Sequence, residues 1–109
     1  MDLARLAEFE SLFGHRYQAL ALVSLLQEGP MRWSEVGRAM DRRAEERVDD
    51  KYVTRSLKAL EKAGFVRAMA DGNGGQLRAL TPHGTKRANR ILDIFTQLDQ
   101  RLDPSLNDS

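Results

Sequence analysis

Basic side chains recur at helical spacing in the middle of the chain, between Asp49 and Val66. In that segment Val53, Leu57 and Leu60 recur at i, i+4 and i+7, which predicts a helix that buries one face. The opposite face and its flank carry cations and hydrogen-bond donors, which can bind phosphate oxygens or base edges. These candidates are Lys51, Tyr52, Thr54, Arg55, Lys58 and Lys62. A merely solvated helix face is the ordinary alternative.

Among these side chains Arg55 is the best suited to read a base. Its guanidinium can donate two hydrogen bonds to O6 and N7 of guanine, which discriminates between bases by about 1–3 kcal/mol. Lys58 and Lys62 are expected at phosphates. Either of the two aspartates at the start can cap the helix, and Gly64 can end it in the left-handed conformation. The segment is therefore predicted to be a recognition helix with defined ends.

The other reactive residue types form no catalytic or metal-binding pattern. The two histidines, His15 and His83, lie at no metal-ligand spacing and beside no nucleophile. The absence of cysteine excludes disulfides, thiolate metal sites and thiol redox sensing. The glycine-rich segment 71–75 lacks the trailing lysine and hydroxyl residue of a phosphate-binding loop. We therefore expect neither an enzyme nor a cofactor.

Positive charge is concentrated in one part of this chain. The net charge of the 109 residues is only +1, but residues 51–90 contain nine basic and two acidic residues, whereas 1–50 and 91–109 are each net −3. The length suits a single domain over 1–103, with a disordered tail over 104–109. No apolar run approaches the ~18–20 residues of a membrane span, and the start lacks a signal-peptide pattern. We expect a soluble, cytoplasmic protein with no membrane partner.

Hydrophobic spacing and turn residues predict the remaining elements. In chain order these are a helix over 2–13, a core helix over 15–28, a short strand over 31–33, a helix capped by Ser34 and ending at Met40, the basic helix, strands over 65–70 and 76–80, and a helix over 82–102 capped by Thr81. Residues 41–48 contain three arginines and three acids, and are either an extension of the preceding helix or a solvated connection.

The two strands and the glycine-rich loop predict a β-hairpin, because such turns need positive φ angles. Val66 and Leu80, and Met69 and Leu77, are expected to face inward. The candidate phosphate-binding groups of this hairpin are the backbone amides of the loop and the side chains of Arg67, Asn73 and Arg78.

An apolar stripe along the last helix needs a cover. Burying each large apolar side chain gains roughly 1.5–3 kcal/mol, so pairing with another helix is strongly favoured. The helix over 2–13 carries a partial stripe of the same kind. We therefore predict a homodimer, with an interface that contains Leu3, Leu6, Phe9, Phe13, Ile91, Ile94, Phe95, Leu98 and Leu102.

The order helix, short strand, helix, helix, hairpin, helix is that of a winged helix-turn-helix, an α+β fold that is mainly α, here with terminal dimerisation helices. Three segments, GPMRWSEV, VTRSLKALEKAGFV and LTPHG, resemble the patterns GPxRFSEL, LTRxLxxLExxGLV and LTPxG of HxlR-type bacterial regulators. The resemblance covers roughly residues 14–100, and the MarR and PadR types are similar in architecture.

The resemblance implies a homodimeric transcriptional regulator that binds a near-palindromic operator in double-stranded DNA. The positions that match the family pattern support the candidates on the recognition helix. The resemblance also implies that the start of the preceding helix lies near a phosphate. Ser34 is therefore a further candidate, although it can simply cap its helix. Arg42 and Arg43, in the charged segment that follows, are candidates for the DNA backbone, although they can also be solvated. The chain departs from the pattern in a longer connection before the recognition helix and in having no thiol switch.

Two other functions fit the same residues. A winged helix can be a protein-interaction adapter, in which case salt should barely affect function, whereas DNA affinity falls by about 0.9 in log slope for each phosphate neutralised. A DNA-binding regulator can also be gated by an effector, whose identity the sequence does not give. Tyr17, Trp33 and Met40 are candidates for lining its pocket, although such residues are more typical of a core.

Overall fold

A computed structural model describes residue 4 and residues 17–102 of the chain, with side chains as far as residue 97. The elements are helices α1 (Gln18–Glu28), α2 (Trp33–Ala44) and α3 (Asp50–Lys62), strands β1 (Val66–Ala70) and β2 (Gln76–Leu80), and helix α4 (Pro82–Leu102). Apart from residue 4, the predicted helix over 2–13 lies outside the described residues, as does the predicted tail.

Helix α1 is the centre of the fold. Its six consecutive residues from Leu20 to Leu25 are all buried, because α2, α3 and α4 pack around it. A helix that is apolar on every side has to be covered on every side. The one polar residue among them, Ser24, donates its hydroxyl to the carbonyl of Leu20 at 2.8 Å. The predicted central core helix is thus confirmed over Gln18–Glu28, whereas Tyr17, which was predicted within it, precedes the helix in the left-handed conformation with φ 68°.

Helix α2 begins two residues earlier than the sequence predicted, because its N-cap is Arg32 and not Ser34. The backbone N–H of Arg32 donates to the carboxylate of Glu35 at 2.9 Å, so this acid caps the helix start. Ser34 is the second residue of the helix, and its predicted role as N-cap is wrong. The predicted short strand is reduced to Met31, whose backbone exchanges hydrogen bonds of 3.1 and 2.8 Å with Arg78.

The sequence left open whether the charged segment 41–48 extends α2 or forms a connection, and the structure shows that it does both. Its first four residues extend α2 to Ala44, and Glu45 ends the helix in the left-handed conformation with φ 57°. The remaining residues connect α2 to α3. Val48 is buried in the core, and its N–H donates to Oδ1 of Asp41 at 2.7 Å. The connection is therefore fixed to the body of the domain.

Helix α3 has the ends and the buried face that the sequence predicted. Oδ1 of Asp49 accepts the N–H of Lys51 at 3.0 Å, as an N-cap should. After the helix, Gly64 has φ 82°, and the N–H of Phe65 donates to the carbonyl of Leu60 at 2.9 Å. All three predicted apolar positions are buried.

Strands β1 and β2 form the predicted antiparallel hairpin, and its register places Val66 opposite Leu80 and Met69 opposite Leu77. Val66 is buried, but it is the only buried residue of β1. Met69 is 38% exposed, so its predicted inward orientation is wrong. Val66 and Met69 are three residues apart and therefore lie on opposite faces of a regular strand, so they could not both face inward. β1 extends beyond the core after Val66, whereas Ala79 of β2 is still buried.

Helix α4 is capped as predicted and lies along α1. Oγ1 of Thr81 accepts the N–H of Gly84 at 3.0 Å and donates to the carbonyl of Gly64 at 2.7 Å. Further along, Phe95 is buried against Val23 of α1. None of the helices within the described residues has the length and apolar character of a membrane-crossing segment.

Candidate nucleic-acid interface

Four cations form one exposed row along α3, which we call the cationic stripe: Lys51, Arg55, Lys58 and Lys62. The spacing i, i+4, i+7 and i+11 places them on one side of the helix, over a length of about 16 Å. They lie opposite the buried face of α3. The packing of that face against the core therefore fixes the direction in which the stripe points.

The cations of the stripe have few neighbours of their own. Among the residues that the structure describes, Arg55, Lys58 and Lys62 make no ion pair and no side-chain hydrogen bond. The ammonium of Lys51 lies 5.1 Å from the centre of the Tyr52 ring. Like charges spaced four residues apart on a helix repel one another, so the row does not stabilise the domain. It is suited to an external anion.

Tyr52 and Thr54 lie on opposite flanks of α3 and are both half-buried. The Tyr52 ring packs against Tyr17, with centroids 5.8 Å apart and planes at 50°, so it contributes to the core. Thr54 borders an open cleft beside the hairpin. Of the six predicted side chains of this helix, four form the exposed stripe and these two lie at its margins.

Arg78 was predicted to face phosphates, but it holds the hairpin against the helices. Its side chain is only 17% exposed, and its Nε lies 2.6 Å from Oε1 of Glu61 in an ion pair whose geometry is not that of a hydrogen bond. The guanidinium also lies 4.8 Å from the centre of the Trp33 ring. One side chain of β2 is thus fixed to both α2 and α3. Arg67, by contrast, is exposed on β1.

Asp71 organises the glycine-rich loop, a role that the sequence reasoning did not find. Its Oδ1 accepts the N–H of Asn73 at 2.7 Å and of Gly75 at 3.0 Å, and its Oδ2 pairs with Arg32 at 3.3 Å. The predicted role of these loop amides at phosphates is therefore wrong for Asn73 and Gly75, although the Asn73 side chain is exposed. An aspartate two residues before a loop amide is the local signal that could have indicated this turn.

The side chain of Asp71 is 7% exposed, and its hydrogen bonds stabilise the ionised form. The amide of Asn73, then that of Gly75 and the charge of Arg32, hold the pKa of this carboxyl below its ordinary value. A Cβ on Gly75 would meet Oδ2 of Asp71, so a side chain at this position would require the carboxylate to shift from its hydrogen bonds.

We expect the loop to lose order in acid. Because the folded-state pKa of Asp71 is lowered, its contribution is complete above the unfolded-state pKa of about 3.9 and is lost as the pH falls through the folded-state value. The amide NMR signals of Asn73 and Gly75 should therefore shift together in that range. They should not titrate in Asp71→Asn, and should titrate normally in Asp93→Asn, a control on α4. A titration that persists in Asp71→Asn would contradict this assignment.

Arg42 and Arg43 extend from α2 to the end of α1. Arg42 pairs with Glu28 at 2.7 Å, and Arg43 pairs with the same carboxylate and donates from Nε to Gln27 at 2.9 Å. These contacts, with the hydrogen bond from Arg43 foremost, lower the pKa of Glu28. A DNA contact by either arginine remains a prediction, and it would compete with this pairing.

An open cleft of about 990 Å³ lies between the first turns of α2 and α3, the connection between them and the glycine-rich loop. Ser34 and Trp33 line it at the start of α2. Tyr17 and Met40, which the sequence suggested as partners of Trp33 in an effector pocket, are core residues instead. No group of three potential metal ligands occurs among the described residues.

The predicted dimer interface is described only in part. Leu3, Leu6, Phe9 and Phe13 lie outside the described residues, as do the side chains of Leu98 and Leu102. On α4, Ile91 is half-buried and Phe95 is 5% exposed, both within the monomer, whereas Ile94 is 54% exposed. Ile94 is therefore the described side chain of this set with most area left for a partner.

Residues 15–72, more than half of the chain, match the family described as the MCM protein C-terminal winged helix-turn-helix domain. The chain belongs to this family. No curated protein matches the chain at a significant level. The winged helix-turn-helix predicted from the order of elements is thus confirmed, whereas the HxlR type remains a resemblance.

Solved structures share this winged-helix fold. A probable transcriptional regulator from Pseudomonas aeruginosa has a TM-score of 0.67 and 23% identity over 81% of this chain and 63% of its own length. The MarR family regulator NMB1585 from Neisseria meningitidis has a TM-score of 0.65 and 16% identity, with 94% and 70% covered. The reduced form of the regulator YodB from B. subtilis has a TM-score of 0.65 and 22% identity, with 89% and 94% covered.

At these identities the likeness shows the fold alone. This chain also spans less than two thirds of the length of the P. aeruginosa regulator.

Proposed function

We propose that this winged helix-turn-helix chain is a sequence-specific transcriptional regulator that binds double-stranded DNA as a homodimer, on a near-palindromic operator. The observation that carries the proposal is the exposed cationic stripe of α3. The charged groups of Arg55, Lys58 and Lys62 in this stripe have no partner among the described residues. The HxlR-type resemblance of three sequence segments supports the same function, and the similar solved structures are themselves described as transcriptional regulators.

The dimensions of α3 suit the major groove of DNA. An α-helix with its side chains is about 10–12 Å across, and the groove is about 12 Å wide. Arg55 lies within the stripe, with Lys51 one turn before it and Lys58 one turn after it. In this arrangement Arg55 reads a guanine, while the lysines on either side neutralise phosphates and fix the position of the helix.

The hairpin is the second DNA-binding element of the proposal. Arg78 and Asp71 give it a fixed position relative to α3, which leaves Arg67 and the side chain of Asn73 exposed for the DNA backbone. In the homodimer, α4 and the helix predicted from the sequence over 2–13 join two such units. Their recognition helices then meet half-sites about 34–36 Å apart.

The proposal is tested by selection from a random pool of double-stranded DNA at about 150 mM salt, where non-specific binding is weak. The wild type is compared with a triple variant, Lys51→Ala, Arg55→Ala and Lys58→Ala, and with Arg90→Ala, which removes an exposed arginine of α4. We expect the wild type and Arg90→Ala to enrich one inverted repeat, and the triple variant to enrich none.

All the substituted side chains are exposed, so thermal unfolding should confirm that the triple variant remains folded. Enrichment of the same repeat by the triple variant would exclude α3 as the reading element. If the wild type enriched no sequence, the protein-adapter function would become the better explanation.

A further inference from the structure

We propose that the cleft beside α3 holds the sugar-phosphate backbone of one DNA strand, and that Arg38 and Arg47 are its phosphate-binding residues. This inference rests on the proposed function and extends it to two arginines that were not among the sequence-predicted candidates. Both side chains are exposed, and both line the cleft.

The position of the cleft relative to the cationic stripe is the first argument. Asp50 and Thr54 of α3 line the cleft, and each immediately precedes a member of the stripe, Lys51 or Arg55. Neighbouring residues of a helix are about 100° apart around its axis, so the cleft adjoins the stripe along the side of α3. A duplex whose groove received the stripe would bring one of its strands against the cleft.

The charges of the cleft are the second argument. Three arginines and three aspartates line it, but Arg32 pairs with Asp71, and Asp41 accepts the amide of Val48. Arg38 and Arg47 make no ion pair with any residue that the structure describes.

The two acids nearest to Arg38 in sequence, Glu35 and Asp41, form no ion pair with it. They accept the backbone N–H groups of Arg32 and Val48 instead.

Asp41 and Asp50 keep their negative charge, because the amide that Asp41 accepts is neutral, so the charged side chains that line the cleft sum to zero. Arg38 and Arg47 are nevertheless held by no ion pair within the described part of the chain, so each can turn to an external phosphate. The first turns of α2 and α3 also border the cleft, and their helix dipoles add positive potential there.

The fixed backbone around Arg47 is the third argument. The residue after it, Val48, is buried in the core. The residue before it, Glu46, accepts a hydrogen bond at its Oε1 from the hydroxyl of Tyr17 at 3.3 Å. Arg47 therefore loses little backbone freedom when it binds an anion. The connection that is longer than in HxlR-type regulators has a function in this proposal, because it places an arginine at the wall of the cleft.

The opposite wall leaves room for a nucleic-acid strand. It is formed by the glycine-rich loop, in which Gly74 and Gly75 present no side chain to the cleft. The cleft is open to solvent and has a volume of about 990 Å³, so an extended polyanion can lie across it.

The test is the salt dependence of affinity for a duplex of about 30 base pairs, because the log–log slope counts the phosphates that a protein neutralises. The double variant Arg38→Ala, Arg47→Ala should reduce the magnitude of the slope by about 0.9 for each phosphate that is no longer neutralised, in every protomer that binds. Arg38→Lys, Arg47→Lys should restore most of the wild-type slope, because the charge returns. Arg90→Ala, the matched removal of an exposed arginine on α4, should retain it.

Three results separate this inference from the proposed function. A wild-type protein whose affinity does not depend on salt would overturn both. A steep wild-type slope that falls in the stripe variant, but not in Arg38→Ala, Arg47→Ala, would overturn the cleft proposal and leave the proposed function standing. A slope that falls in the cleft variant and returns with the lysines supports the cleft, provided that far-ultraviolet circular dichroism shows all variants folded.

Discussion

Replacement of Gly84 by alanine is expected to lower the free energy of unfolding by about 3 kcal/mol, at the upper end of the usual cost of overpacking. The added Cβ would lie 1.9 Å from the carbonyl oxygen of Phe65 and 2.9 Å from its carbonyl carbon. That carbonyl already accepts the N–H of Thr81 at 3.0 Å, and the N–H of Phe65 donates to Leu60. Because backbone atoms held in this way cannot move aside, the start of α4 has to shift.

Gly37→Ala is the matched control, since it adds the same methyl group to another helix. Its Cβ would lie 3.6 Å from Cγ2 of Val53, an ordinary van der Waals contact. Alanine is favoured over glycine inside a helix by about 0.5–1 kcal/mol, so this variant should gain stability. Urea unfolding of the two variants should give changes of opposite sign. Equal destabilisation by both would show that the contact with Phe65 is not the cause.

The role of Gly84 shows what the sequence could predict about the fold. The sequence places Gly84 in the segment LTPHG but does not show why glycine is needed there. The atom that excludes a side chain is the carbonyl oxygen of Phe65, which is distant in sequence. The helix ends formed by Asp49, Gly64 and Thr81 depend on partners within a few residues, and these were predicted correctly. At the start of α2 two local caps competed, and the acid of Glu35 prevailed over the hydroxyl of Ser34.

The positions of the stripe cations depend on local spacing, whereas the pairing of the other basic residues depends on partners distant in sequence. Helical periodicity and the buried face of α3 determine where its cations point, so the row could be predicted from spacing alone. Which arginines are paired depends on residues distant in sequence: Arg32 pairs with a residue 39 positions away, and Arg42 with one 14 positions away. The pattern of a strand likewise gives no indication that Arg78 pairs with Glu61. Charge counting therefore located the basic segment but could not show which of its members are free.

Ile94→Glu is the variant from which we expect the largest loss of function. Ile94 is 54% exposed on α4, in the predicted dimer interface, so a charge there has little effect on the monomer. In an interface, each protomer would bury that carboxylate beside apolar groups without a partner. The protein should therefore sediment as a monomer. Operator affinity should fall by about 10²–10⁴-fold, because the two half-sites are no longer bound by one molecule.

The structure also determines which substitutions cannot serve this test. Phe95 belongs to the same predicted interface but is 5% exposed and packs on Val23, so a charge at Phe95 would unfold the monomer. Asn89→Glu is the suitable control, because it places the same charge on an exposed position of α4, more than one turn before Ile94. It should remain dimeric with unchanged operator affinity. If Ile94→Glu also remained dimeric in sedimentation, the dimer would have to form through other residues, and the two-half-site geometry would have to be built on those.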